Sequence, residues 1–77
     1  MAKLDRIRWH CRRGLLELDI VLGRFNDRHL EGLSVEDLKT FETLLEEADN
    51  DLFDLVMGRA EPVDERHRKV VEMLRVA

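Results

Sequence analysis

Seventy-seven residues, 44% hydrophobic and 39% charged with a net charge of −4, describe one small globular domain with a thin stability margin. That composition excludes a disordered chain, and no apolar run is long enough to span a bilayer. An acidic balance with 5% aromatics and no reader motif argues against nucleic-acid binding.

Strands are not expected, because glycine and proline are scarce, β-branched residues are few, and apolar residues recur at helical spacing. Leu4, Ile7 and Cys11 line one face of a first helix, with Leu15 just beyond it. The Arg12-Arg13-Gly14 step ends that helix, since glycine suits the position just past a helix C-terminus. A second helix begins near Leu15 and buries Leu15, Leu18, Val21, Leu22 and Phe25, with Glu17 and Asp19 in its first turns where the dipole favours anions. The third has the clearest start: Ser34 as N-cap, Asp37 three residues on as a variant capping box, and Leu33 with Leu38 as a hydrophobic staple. Leu38, Phe41, Leu45 and Ala48 form its buried stripe, with Leu44 beside it. Asp49 or Asn50 caps a short fourth helix that buries Leu52, Phe53, Val56 and Met57 and ends at Gly58. Pro62 and Asp64 mark the start of a last helix with Val70, Val71 and Leu74 inward. The expected fold is therefore all-α, a compact single-domain bundle over residues 1–77 of about five short helices, consecutive ones packing as near-antiparallel neighbours.

Charge is unevenly spread. Residues 1–13 carry Lys3, Arg6, Arg8, Arg12 and Arg13 against Asp5 alone. Residues 34–54 carry Glu36, Asp37, Glu42, Glu46, Glu47, Asp49, Asp51 and Asp54 against Lys39. Solvated helix faces account for most of these charges, but the polarity also suits oriented docking on a protein of complementary charge. The Met1–Arg6 stretch lacks an apolar signal core, and the single cysteine cannot form an internal disulfide, so a reducing cytoplasm is expected.

Chemistry of the catalytic kind finds little support. His10, His29, His67 and Cys11 lack zinc-ligand spacing, adjacent His10 and Cys11 point to different faces, and no metal site is expected. No glycine-rich phosphate loop is present. Glu17 and Asp19 diverge by roughly 200° on a helix and cannot converge on one atom. A chain this small cannot easily enclose a pocket of about 300 Å³ without giving up core, so an enzyme is not expected.

Recognition-type residues do crowd one stretch: Arg6, Arg8, Trp9, Arg12, Arg13, Gly14, Glu17 and Asp19. Arginine and tryptophan are enriched at interface hot spots, and Gly14 leaves bare backbone where a partner can approach. Taken singly, Trp9 could be a core residue and Gly14 only a helix cap. The cluster as a whole needs a further reason.

The run Arg6-Ile7-Arg8-Trp9-His10-Cys11-Arg12-Arg13-Gly14-Leu15-Leu16-Glu17-Leu18-Asp19 resembles the signature of the SdhE family, bacterial relatives of mitochondrial succinate dehydrogenase assembly factor 2. Its RGxxELD motif and the preceding R-I-x-W-x-C-R pattern are both present. Phe41–Glu46 and Asp51–Gly58 look like the family's later segments, so the resemblance covers nearly the whole chain. It implies a bacterial cytoplasmic, non-enzymatic assembly factor, monomeric and inserting into no membrane. Such a factor binds the flavoprotein subunit of succinate dehydrogenase or fumarate reductase and promotes covalent attachment of FAD to a histidine of that subunit. The factor supplies no nucleophile and holds no FAD stably; the client carries it. Arg13, Gly14 and Glu17 match the motif as partner-binding positions, with Asp19, Trp9 and Arg6 added. Two other readings stay open: a regulatory, antitoxin-like interaction module using the same patch, and a small enzyme or flavin carrier with its own FAD affinity.

Overall fold

The apolar spacing becomes five α-helices among the described residues: α1 Lys3–His10, α2 Leu16–His29, α3 Val35–Leu45, α4 Asp49–Val56 and α5 Arg68–Arg75. Single 3-10 turns at Leu30–Gly32 and Glu65–His67 lead out of α2 and into α5. This computed structural model describes residues 3–77, with Lys3 and Leu4 as backbone only; the expected burial of Leu4 lies outside the described side chains. No described residue lies in a strand.

Leu18, Leu22 and Phe25 recur at helical spacing on α2 and are fully buried. Phe25 meets Phe41 of α3 with ring centroids 4.6 Å apart and planes tilted by 44°, a favourable offset geometry. Ile7 and Cys11 from the α1 end, Leu30, Leu52 and Leu55 join the same core. Helix α5 is the hub, inserting Val70, Val71 and Leu74 while packing against α2, α3 and α4. The expected packing of consecutive helices is thus only partly met, since of consecutive pairs α4–α5 alone makes one of the extensive contacts. Packing is instead gathered on one face of α5, whose Val70, Val71 and Leu74 meet α2, α3 and α4. The radius of gyration is 11.3 Å, close to the ~11.5 Å that dense packing gives a chain of this length.

Helix boundaries follow local chemistry. The Ser34 hydroxyl accepts the Asp37 N–H at 3.1 Å, as its N-cap role requires. Asp37 does not complete a capping box; its carboxylate pairs with Lys69 of α5 at 2.9 Å. Leu33 and Leu38 both pack against the core, as a staple should. At the end of α4, Gly58 takes φ +79° while its N–H reaches Leu55 O and the Arg59 N–H reaches Asp54 O at 2.8 Å. These two bonds make a Schellman stop.

Four further expectations fail, each for a physical reason. Leu15 is not buried: it is the extended N-cap of α2, off the helical register, and 37% exposed. Ala48 lies beyond the end of α3, exposed, and itself caps α4. Neither Asp49 nor Asn50 caps that helix, because α4 already begins at Asp49, whose carboxylate turns to Arg13. Met57, past the last helical residue, is 50% exposed, and Leu55 takes the buried place.

The C-terminal part is tied back by two polar devices. Arg75 donates from Nε to Leu55 O at 2.8 Å and from Nη2 to Ala60 O at 2.9 Å, fastening α5 to the last turn of α4 and the loop after it. Asp64 caps the turn into α5, accepting the backbone N–H and the guanidinium of Arg66. The Arg66 side chain, then its N–H, hold the Asp64 carboxyl down to about 2 from an ordinary 3.8.

Two outcomes follow. Replacing Arg75 with Met should cost about 2 kcal/mol in a denaturant titration, because two carbonyls lose a charged donor; a cost near zero would contradict the clamp. Because the folded pKa of Asp64 is lowered, its stabilisation is complete above the ordinary value and lost as pH falls through about 2. A carboxyl-detected NMR titration should therefore place its midpoint near 2, and a midpoint near 4 would remove the Arg66 contact.

Candidate docking site

Helix α1 ends with the Cys11 N–H on Ile7 O and the Arg12 N–H on Trp9 O, leaving the next amides without helical partners. Gly14 then takes φ +80°, a conformation that L side chains rarely adopt. Asp19, one turn into α2, reaches back over the junction. Its Oδ1 accepts the Arg13 N–H at 2.8 Å and its Oδ2 accepts the Gly14 N–H at 3.2 Å. One carboxylate thereby satisfies two loop amides and fixes the entry angle of α2. The charge also sits in the first turns of a helix, where the dipole favours it.

The Arg13 side chain points inward, only 16% exposed. Its Nη2 donates to Leu45 O, the last carbonyl of α3, and its Nη1 lies 3.4 Å from Asp49 Oδ1 at the start of α4. A single guanidinium therefore joins the α1–α2 junction to the α3–α4 junction, at a helix C-terminus where a cation is favoured. Its Nε is buried without a hydrogen-bond partner among the described residues.

The six sequence-predicted residues separate accordingly. Arg13 and Asp19 spend their side chains on the fold. Gly14 and Glu17 are exposed, Gly14 on the turn and Glu17 in the first turn of α2, and a Cβ added at Gly14 would meet nothing within 4 Å. Trp9 is 72% exposed, which removes its core reading. It borders a surface groove with Arg12, Arg13 and Leu45. Arg6, also exposed, lines a different groove between α1 and α3 with Ile7, His10, Glu42 and Glu46, so the structure does not bring it to the turn. Neither Arg6 nor Arg12 has an ion pair among the described residues.

Missed by the sequence reading were Asn26, Leu16 and Ile20. Asn26 is buried on α2 and its Oδ1 lies 3.8 Å from the Cys11 thiol. Burial pushes that thiol up from 9.0, against the opposing effects of the Asn26 bond and the Arg13 charge, so it stays protonated at neutral pH. Leu16 and Ile20 are exposed, and the adjacent pair Leu15-Leu16 carried the signal. Leu15 is extended before the helix and Leu16 opens it about 160° away from the buried Leu18–Leu22–Phe25 face, so neither reaches the core. Among the described residues no cluster of three or more His, Cys, Asp or Glu could hold a metal ion, and no helix is long and apolar enough to cross a membrane.

The fold and the site together define a small helical domain that presents a tethered arginine–glycine turn and an exposed tryptophan on its surface. More particularly, the chain belongs to the family described as flavinator of succinate dehydrogenase, which matches residues 5–77. It is 44% identical over 73 residues to the FAD assembly factor SdhE of Pseudomonas aeruginosa, covering 95% of this chain and 87% of that protein. The proteins of the same name from Coxiella burnetii and Vibrio vulnificus are 36% and 44% identical over 69 residues, 90% of this chain and 84% and 80% of theirs.

Asp19→Ala should lower stability by about 2 kcal/mol, near 10 °C in melting temperature, since two amides lose a charged acceptor. Melting indistinguishable from the wild type would show the tether to be dispensable. Cys11 should react with a soluble disulfide reagent at pH 7 only at the rate of unfolding. Prompt labelling of the native protein would contradict its burial.

Proposed function

We propose that this chain is an assembly factor that docks on the flavoprotein subunit of succinate dehydrogenase and promotes covalent attachment of FAD to it. The observation that carries the reading is the Gly14 turn: a left-handed glycine with open space above it, held by Asp19, with Glu17 exposed beside it. Its setting in a chain of the flavinator family supplies the client. The related flavoprotein subunit of fumarate reductase is proposed as a second client.

The factor acts as a monomer in the bacterial cytoplasm and binds no FAD stably by itself. It supplies no nucleophile: Cys11 is buried and protonated, and Glu17 and Asp19 diverge. Its contribution is positional. Docking of Gly14 and Glu17 beside the flavin site, with Trp9 and Arg6 as flanking contacts, holds the client where its own histidine and the flavin are in reacting geometry. Arg13 and Asp19 act through the turn they shape. Orientation of this kind contributes several kcal/mol, at roughly 1.4 kcal/mol per tenfold in rate.

The test is covalent flavin fluorescence of the client subunit on a denaturing gel, with and without the factor. Wild type should brighten the band, and Gly14→Arg should not. The positive φ costs that variant about 1–2 kcal/mol, so it should still fold. Gly14→Asn, a residue that tolerates this conformation, should recover part of the activity. Glu17→Ala should weaken flavinylation at unchanged melting temperature. Full flavinylation with Gly14→Arg would overturn the proposed surface.

A further inference from the structure

The outward arc of α2 changes character along its length. Taking 100° per residue, Leu16 and Ile20 lie about 40° apart and flank the same side as Arg24 and Asp27 further along. Burial agrees, since Leu18, Leu22 and Phe25 face the core and these four positions are exposed. In its later turns the arc is charged, as a solvated helix face should be. In the first turns it is apolar. Leu16 is 73% exposed and Ile20 44%, and Leu15, the extended residue before them, is 37% exposed.

An isolated exposed leucine needs no explanation, but three apolar side chains gathered at one end of a helix do. That end adjoins Gly14 and carries Glu17. Resting on the docking role proposed above, we infer that Leu15, Leu16 and Ile20 form the apolar centre of the docking surface. They seat against an apolar hollow of the flavoprotein subunit, and Glu17 is part of the polar rim. Strong interfaces have this construction: a few desolvated apolar anchors bounded by polar groups that exclude water. Continuity with the Gly14 turn selects the occupant. A partner close enough to meet bare backbone at Gly14 also covers the next turn of α2.

The α2 arc also gives the surface a direction. Binding removes Leu16 and Ile20 from water without displacing any intramolecular contact of the core, so truncating them weakens affinity and leaves the fold alone. Val63, fully exposed on the loop before α5, lines a groove with Asp51, Glu61 and Asp64 and serves as an exposed apolar control on another element.

The experiment is a binding titration of the FAD-loaded flavoprotein subunit with wild type, Leu16→Ser, Leu16→Ser/Ile20→Ser, Val63→Ser and Gly14→Arg, each checked by thermal melting. Leu16→Ser should weaken binding about tenfold and the double variant about a hundredfold, both melting like the wild type. Val63→Ser should bind normally. If Gly14→Arg abolishes binding while the double variant binds like the wild type, the apolar centre is wrong and the docking role stands. If wild type itself does not bind the subunit, the docking role fails. If the serines abolish self-association of the wild type yet leave subunit affinity unchanged, the patch belongs to a second copy and the inference is overturned.

Discussion

The hydrogen bonds from the Arg13 and Gly14 amides to the Asp19 carboxylate decide how the first two helices meet. Without them, two loop amides lack partners and the left-handed glycine has no reason to keep its conformation. With them, the five-residue turn between the helix ends is held in one conformation by its own amides. A docking surface benefits because ordering a loop on binding costs free energy that a preformed loop does not. The motif's acid is therefore spent inside the molecule, and its glycine and glutamate are left outside.

Arg13 extends the same logic across the domain. Its guanidinium leaves the turn and reaches the last carbonyl of α3 and the first residue of α4, so one side chain links both helix junctions. The motif thus divides by function rather than by position. Arg13 and Asp19 set geometry, whereas Gly14, Glu17 and the apolar residues around them are presented. Helix α5 completes the frame, with Val70, Val71 and Leu74 under three helices and Arg75 fastened to the loop after α4.

Much of this was legible in the sequence wherever a signal is local. Ser34 and Gly58 announce helix ends because capping needs particular residues at particular places, whereas Gly14, read as the cap of α1, lies four residues past its end and shapes the following turn instead. The Leu18, Leu22 and Phe25 spacing fixes the buried face of α2. What the sequence hid was long-range or competitive. Asp49 reads as a cap until an arginine thirty-six positions earlier claims its carboxylate, and Asp37 is likewise claimed by Lys69. Leu15 reads as core because nothing local says that α2 starts one residue later. The family motif could be recognised, yet recognition alone did not separate the side chains that hold the turn from those that face outward.

Two surfaces compete as the docking face: the motif turn with the first turns of α2, and the acidic groove of Asp51, Asp54, Glu61 and Asp64. Hydrogen exchange of the free chain, compared with the chain saturated by the flavoprotein subunit, distinguishes them most directly. The account predicts new protection confined to the Gly14 turn and the first turns of α2. Protection confined to the loop between α4 and α5, with the turn unchanged, would contradict it.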